Sequence, residues 1–427
     1  MRLQKYHYLL ILPNNFVFLR NFSTQKVNFT YFSAYFSFFL INFAPVKSVN
    51  MKHSIKFYPV GNGDCDLITI GGANKKMMFD CNFRKEAEED NDNMYDVLDD
   101  LLTNELTSKK CGLPFLDAFL LTHPDQDHCR CFADKFYLGD PDSIPQSAKD
   151  DKKILIGELW YSPRVFEELT GKLNADAKAF KKEAKRRMDL YKSDSNKADK
   201  DGNRIRIIGW TDNPDLEGLE DRIVTPGNTI SEVNGSNCRY FGMFIHAPFK
   251  EDIEGEDRNM TSIASQLRFK SDKSDKIARV FLGGDTEWRV IKEIMNKTTK
   301  DDYLNWDLME APHHCSYKFF ADDREDDPNK ESIDFLNKSE DGAFVVSSSK
   351  VVKKNSDNPP CQKAKNRYTD RVGESNFFCT SGEKDDDTEE PIIFDIEDGE
   401  VGLREDEQEE KESRAAASKD SKPHFYG

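Results

Sequence analysis

Three short β-type runs punctuated by glycine turns follow Met51 and restrict the folds open to this chain. SIKFYPV (54–60) ends at Gly61-Asn62-Gly63, DLITI (66–70) ends at Gly71-Gly72, and KKMMFDC (75–81) returns. Two such turns between β-type runs predict an antiparallel meander. Met94, Val97, Leu98, Leu101 and Leu102 then recur at helical spacing, predicting an amphipathic helix over 93–107. DAFLLT (117–122) reads as a central strand because its apolar core is unbroken. Further strands are predicted at 154–162, 241–248, 263–269, 278–285, 307–312 and 342–349. One long helix carries the stripe Leu173, Ala177, Phe180, Ala184, Met188 and Tyr191, and another carries Trp288, Ile291 and Ile294. Clustered strands with interspersed helices predict a layered α/β or α+β architecture, two sheets faced by helices.

The charge is uneven. The chain of 427 residues carries a net charge of −17, which argues against general nucleic-acid affinity, yet residues 383–427 hold 17 acidic and 6 basic side chains. That composition predicts an acidic tail over 381–427 without core-forming density, in which PIIFDI (391–396) is the one strand candidate. Such a tail suits a basic partner. Lys178 to Arg206 hold 11 basic and 5 acidic residues, giving the long helix a positive outer face at Lys181, Lys182, Lys185, Arg186 and Arg187. Residues 1–50 contain no Asp or Glu and read as over-extended translation ahead of Met51 or as a targeting segment. They lack the run of about 18–20 apolar positions that a membrane span needs. With Met51 as the start, no membrane association is expected. Nine scattered cysteines suit reduced thiols and a cytoplasmic location.

Metal-type donors sit at three strand ends. LLTHPDQDHCRC (120–131) delivers His123, Asp125, Asp127 and His128 directly after a buried run. FLGGD delivers Asp285, and EAPHHCS delivers His313 and His314. Carboxylates and imidazoles crowded on one corner repel and desolvate at high cost unless a cation binds them. No GxxxxGK[ST] loop and no Gly-x-Ser-x-Gly elbow is present, which disfavours a phosphate-cradling loop or a serine nucleophile.

HPDQDH resembles the HxHxDH signature of the metallo-β-lactamase fold superfamily, in the variant where Asp replaces the second His. VGNGD (60–64), FDCN (79–82), NMTSI (259–263), FLGGD and APHHCS resemble further elements in matching order, most like the hydrolase domain of bacterial competence DNA-uptake channels. The similarity spans residues 54–350. It implies a four-layer αββα sandwich, a hydrolase domain over 51–380, and a basic helical insertion at about 165–210. By position, His123 and Asp125 would hold one divalent ion and Asp127 with His128 a second. Asp285 would bridge them. His313 or His314 would complete the second site, the other meeting substrate or protonating the leaving group; Asp127 and His314 are thus the catalytic candidates. His246 is the candidate for a further first-site imidazole. Asn259, Ser262, His314 and Ser316 are the substrate-side candidates.

The family's glycines after DH and PHH are replaced by Cys129-Arg130-Cys131 and by Cys315. Cys129 and Cys131 read either as thiolate ligands or as buried small residues. Asp64 and Asp80 read as hydrogen-bond anchors for the ligand loops. Imidazole with carboxylate suits zinc, with manganese the alternative, and two such ions would supply metal-activated hydroxide near neutral pH. The expected activity is hydrolysis of a phosphodiester, in nucleic acid or a nucleotide. Alternatives are a small ester, lactone or thioester substrate, or a non-catalytic interaction module.

Overall fold

A computed structural model describes residues 52–84, 94–166, 173–210, 216–250, 258–356, 358–382 and 389–404. The expectations for residues 1–50 and for the tail beyond 404 lie outside the described residues. The principal strands are β1 (His53–Phe57), β2 (Asp66–Ile70), β3 (Lys75–Phe79), β4 (Leu113–Leu121), β5 (Leu155–Tyr161), β6 (Arg204–Ile208), β7 (Ile223–Val224), β8 (Thr229–Ile230), β9 (Phe241–Ile245), β10 (Ser265–Lys270), β11 (Ile277–Leu282), β12 (Trp306–Glu310), β13 (Ser339–Ser347), β14 (Phe377–Cys379), β15 (Ile392–Glu397) and β16 (Glu400–Leu403). One sheet runs β16-β15-β1-β2-β3-β4-β5-β6-β7, with the short strand Lys109–Lys110 also paired to β4. The other runs β8-β9-β10-β11-β12-β13-β14.

Both sheets divide the same way. β1, β2 and β3 form the expected antiparallel meander, and from β3 through β7 every pairing is parallel. In the second sheet β8 to β11 pair antiparallel, and β11 to β14 pair parallel. Parallel strands all end on the same side, and in open parallel sheets that side gathers ligand-binding loops.

Alternation along each strand builds three apolar layers. In β4, Phe119 and Leu121 pack outward with Phe132, Phe180, Ala184 and Met188, while Ala118 and Leu120 point to the other sheet. There they join Ile55, Met77, Leu267, Val280, Leu308 and Phe394. On the far side Phe281, Trp306, Met309 and Val345 pack against Val290, Ile291, Ile294, Phe335 and Tyr368. Helix, sheet, sheet and helix therefore stack in the four-layer αββα order. Among the described residues no helix is long and apolar enough to cross a membrane.

Three expectations change. The tail boundary at 381 is corrected, because β15 pairs with β1 in register from His53↔Ile396 to Phe57↔Ile392 and β16 pairs with β15. Ile392, Phe394 and Ile396 alternate inward, so this acidic segment supplies a sheet edge despite its charge. The helix expected over 93–107 is shorter: it starts after Asp96, whose side chain accepts from Asp99 N, and its last turn, Leu101–Glu105, is a π-turn. Only part of the positive outer face of Ala175–Ser193 is internal, for Lys182 and Lys185 stay exposed. Arg187 is buried, donating to Glu183 Oε1 (2.8 Å), Ile156 O and Arg204 O (both 3.1 Å), and Arg186 pairs with the same glutamate (2.6 Å). Lys181 reaches Phe166 O (3.0 Å) and Lys185 pairs with Asp189 (2.6 Å).

Candidate metal centre

Each donor reaches the centre from a sharp turn at a strand end. After β4 comes Thr122-His123, and Asp125 starts the short helix Gln126–Cys129 that carries Asp127 and His128. After β11, Gly284 adopts φ +51°, and a Cβ there would lie 2.9 Å from Thr122 Oγ1, so only glycine lets Asp285 approach the β4 turn. After β12, three consecutive residues are left-handed: His313 (φ +53°), His314 (+52°) and Cys315 (+64°). A left-handed conformation costs an L-residue about 1–2 kcal/mol, so this turn stores strain at the centre. Gly63 closes the fourth side, where a Cβ would lie 2.7 Å from Asp127 O.

Asp285 stands in the middle. Its Oδ2 faces His123 Nε2 (3.7 Å) and His313 Nε2 (3.5 Å), while its Oδ1 faces His128 Nε2 (3.1 Å) and His314 Nε2 (3.3 Å). One carboxylate thus presents an oxygen to each of two imidazole pairs. Asp125 Oδ2 lies 3.8 Å from His123 Nε2, and Asp127 Oδ2 lies 3.4 Å from His314 Nε2. Donor atoms of His123, His128 and Asp285 form one group able to hold an ion; Asp127, His128 and His314 form another, and Asp64, Asp285 and His314 a third.

The far sides of His123 and His128 are hydrogen-bonded. His128 Nδ1 lies 2.7 Å from Asp80 Oδ2, and Asp80 accepts from Thr122 N (2.7 Å) and Thr122 Oγ1 (2.5 Å). His123 Nδ1 lies 3.1 Å from Thr122 Oγ1 and 3.3 Å from Ser262 Oγ. His314 Nδ1 lies 3.2 Å from Asp64 Oδ1. Asp80 therefore occupies the anchoring place expected of it and fixes His128 Nε2 toward Asp285, whereas Asp64 faces His314 Nδ1 without hydrogen-bonding it.

The electrostatics are those of a cluster short of positive charge. Burial pushes His128 and His314 down, but Asp285, with Asp80 beside one and Asp64 beside the other, outweighs it and holds both imidazoles well above their usual value. Burial and the neighbouring His128 instead lower His123. Despite its burial, Asp285 is held well below the carboxylate range by His313, His314 and His128. Behind the centre, burial and Asp64 push Glu310 up to about 8.

The residues fit a divalent cation. The Nε2 atoms of His123, His128 and His314 and Oδ1 of Asp285 are buried without a hydrogen-bond partner. Orphaned buried polar atoms cost of order 1–3 kcal/mol each, and ions held by the His123, His128 and Asp285 group and by the Asp127, His128 and His314 group would satisfy them. Nitrogen and carboxylate donors suit zinc or manganese.

The remaining candidates separate clearly. His246 is not in the centre: it is buried between Phe244 and Phe281, with Nδ1 3.3 Å from Thr298 Oγ1. His313, offered to the second site, lies instead on the first side, beside Asp285 Oδ2 with His123. His314, expected to face substrate, is buried on the second side. Ser262 meets His123, and Ser316 is buried and donates to Asn358 Oδ1 (2.8 Å), so neither faces outward. Asn259 is half-buried in the 259–261 turn. Cys129 and Cys131 are buried and belong to no ion-holding group among the described residues. Burial pushes the Cys129 thiol up to about 12.

Two neighbours escaped the sequence reading. Glu287 Oε1 lies 3.7 Å from His313 Nδ1 and 2.9 Å from Lys318 Nζ. Arg258 Nη1 lies 2.6 Å from Asp125 Oδ1. Glu287 follows Asp285 by two residues, which was a usable signal; Arg258 was hidden in the charged stretch EDIEGEDR.

No protein-family model matches the chain, and no curated protein matches it. Among solved structures, a crystal structure of unliganded yeast PDE1 aligns over 78% of this chain and 97% of its own at 12% identity and a TM-score of 0.32. That likeness is too distant to bear on what the chain does.

Proposed function

We propose that the chain is a metal-dependent hydrolase that cleaves a phosphodiester in a nucleotide or nucleic acid. The observation that carries this reading is the placement of Asp285, one oxygen toward His123 and His313 and the other toward His128 and His314. Divalent ions held by His123, His128, His314, Asp127 and Asp285 would supply Lewis acidity toward water and a phosphoryl oxygen. The protein's own part is positional: Asp80, Thr122 and Ser262 fix His128 and His123, and burial keeps bulk water from the nitrogens.

Within this reading a nucleotide-sized substrate is favoured over a long strand. Arg186 and Arg187 are committed to Glu183 and to backbone carbonyls, which withdraws those two from any polyanion track, and the net charge of −17 opposes a long polyanion.

The test is hydrolysis of bis(p-nitrophenyl) phosphate, cyclic nucleotides and labelled DNA or RNA with Zn²⁺ or Mn²⁺ added. Metal-dependent cleavage that is lost in Asp285→Asn supports the proposal. A metal-loaded chain that hydrolyses a carboxylic ester or lactone and no phosphodiester moves the assignment to the small-ester alternative. A loaded chain with no turnover on either class leaves only the interaction module.

A further inference from the structure

The centre opens to solvent on one side. Side chains of His123, His128, His314 and Asp285 are at most 6% exposed, whereas Asp125 is 31% and Asp127 34% exposed. These two carboxylates are the most exposed groups around Asp285. An anionic substrate would be repelled by them and by a chain of net charge −17 unless a cation stood at the same mouth.

Arg258 stands there. Its Nη1 lies 2.6 Å from Asp125 Oδ1, while Asp125 Oδ2 faces His123 Nε2 at 3.8 Å. The guanidinium is therefore one carboxylate away from the candidate ion site. Its backbone leads directly into the 259–261 turn and Ser262, whose Oγ lies 3.3 Å from His123 Nδ1. A planar fork anchored on a carboxylate is pre-set to meet phosphoryl oxygens, and a neutral ester has no use for it.

We propose that Arg258, anchored by Asp125, is the residue that recognises an anionic phosphoryl oxygen of the substrate at the mouth of the centre. This rests on the metal-hydrolase reading and narrows its substrate to an anion.

The test is calorimetric titration of phenylphosphonate, a non-hydrolysable phosphoryl anion, into full-length protein whose metal content has been measured. R258Q should keep its metal and bind phenylphosphonate about tenfold or more weakly, the factor of one charge-assisted contact. R258K should recover part of that loss, and K182Q, the same change of charge on an exposed helix position, should bind as wild type. An R258Q protein with full metal and undiminished phenylphosphonate affinity overturns the inference. So does R258Q that no longer takes up metal, which would make Arg258 a support for Asp125 alone, and so does equal weakening in K182Q. A folded wild type that binds no metal defeats the hydrolase reading itself, and the inference with it.

Discussion

Nδ1 of His128 lies 2.7 Å from Oδ2 of Asp80, and that contact decides which nitrogen of the ring faces Asp285. Asp80 is left-handed (φ +54°) at the end of β3 and is pinned by Thr122 N, so neither partner has a second arrangement close by. Asp80→Asn keeps the size but can present an amide donor to the ring. We expect metal affinity to fall about 10–100-fold, the usual effect of losing such an anchor. Competition against a chelator checks it.

The raised imidazoles fix a pH dependence. His314 binds its proton more tightly in the folded, metal-free protein than in the unfolded chain, because Asp285 and Asp64 outweigh its burial. Its stabilising contribution is therefore complete below the ordinary value of 6.5 and fades as pH rises through the raised value. The metal-free stability difference between wild type and His314→Gln should narrow as pH climbs. Metal must displace the same protons, so loading should release protons and strengthen with rising pH. Urea melts and metal titrations across that range check the two halves.

His246 has the opposite sign. Burial lowers it from 6.5 to about 3. The unfolded chain takes up the proton first, so stability is lost as pH drops from 6.5 toward 3, by up to about 1.4 kcal/mol per pH unit. His246→Gln should flatten that acid limb in urea unfolding. Its metal content should match wild type, since the residue packs between aromatic rings away from the centre.

Cys315 sits at φ +64°, where a glycine would carry no strain, and its thiol is buried under Tyr368 and Tyr317. Cys315→Gly trades relief of about 1 kcal/mol against lost packing of similar size and should keep its metal. Cys315→Val adds a β-branch at a left-handed position. It should lower stability by about 2–4 kcal/mol and reduce metal affinity by displacing His313 and His314. Thermal melts with parallel metal assays separate the two variants.

The convergence of three strand ends was legible in the sequence because His and Asp directly after apolar runs have few structural uses. The two-sheet layering was legible for a related reason: alternation and glycine turns are local signals. What the sequence hid is non-local. PIIFDI was legible as a strand candidate, but nothing local showed that Ile392, Phe394 and Ile396 would join β1 across more than 330 residues. His313 and His246 could not be ranked before the fold brought the β12 turn to Asp285. Arg186 and Arg187 read as a solvent face because Glu183, one turn away, gave no sign that it would pair with both, Arg187 in the interior.

Metal stoichiometry tests the central claim most directly. Protein expressed with residues 51–427, loaded with Zn²⁺ or Mn²⁺ and passed through a desalting column, should hold two equivalents by elemental analysis. Asp285→Asn should hold fewer than two while keeping the wild-type circular dichroism spectrum. A folded wild-type chain that emerges with no bound metal would contradict the account.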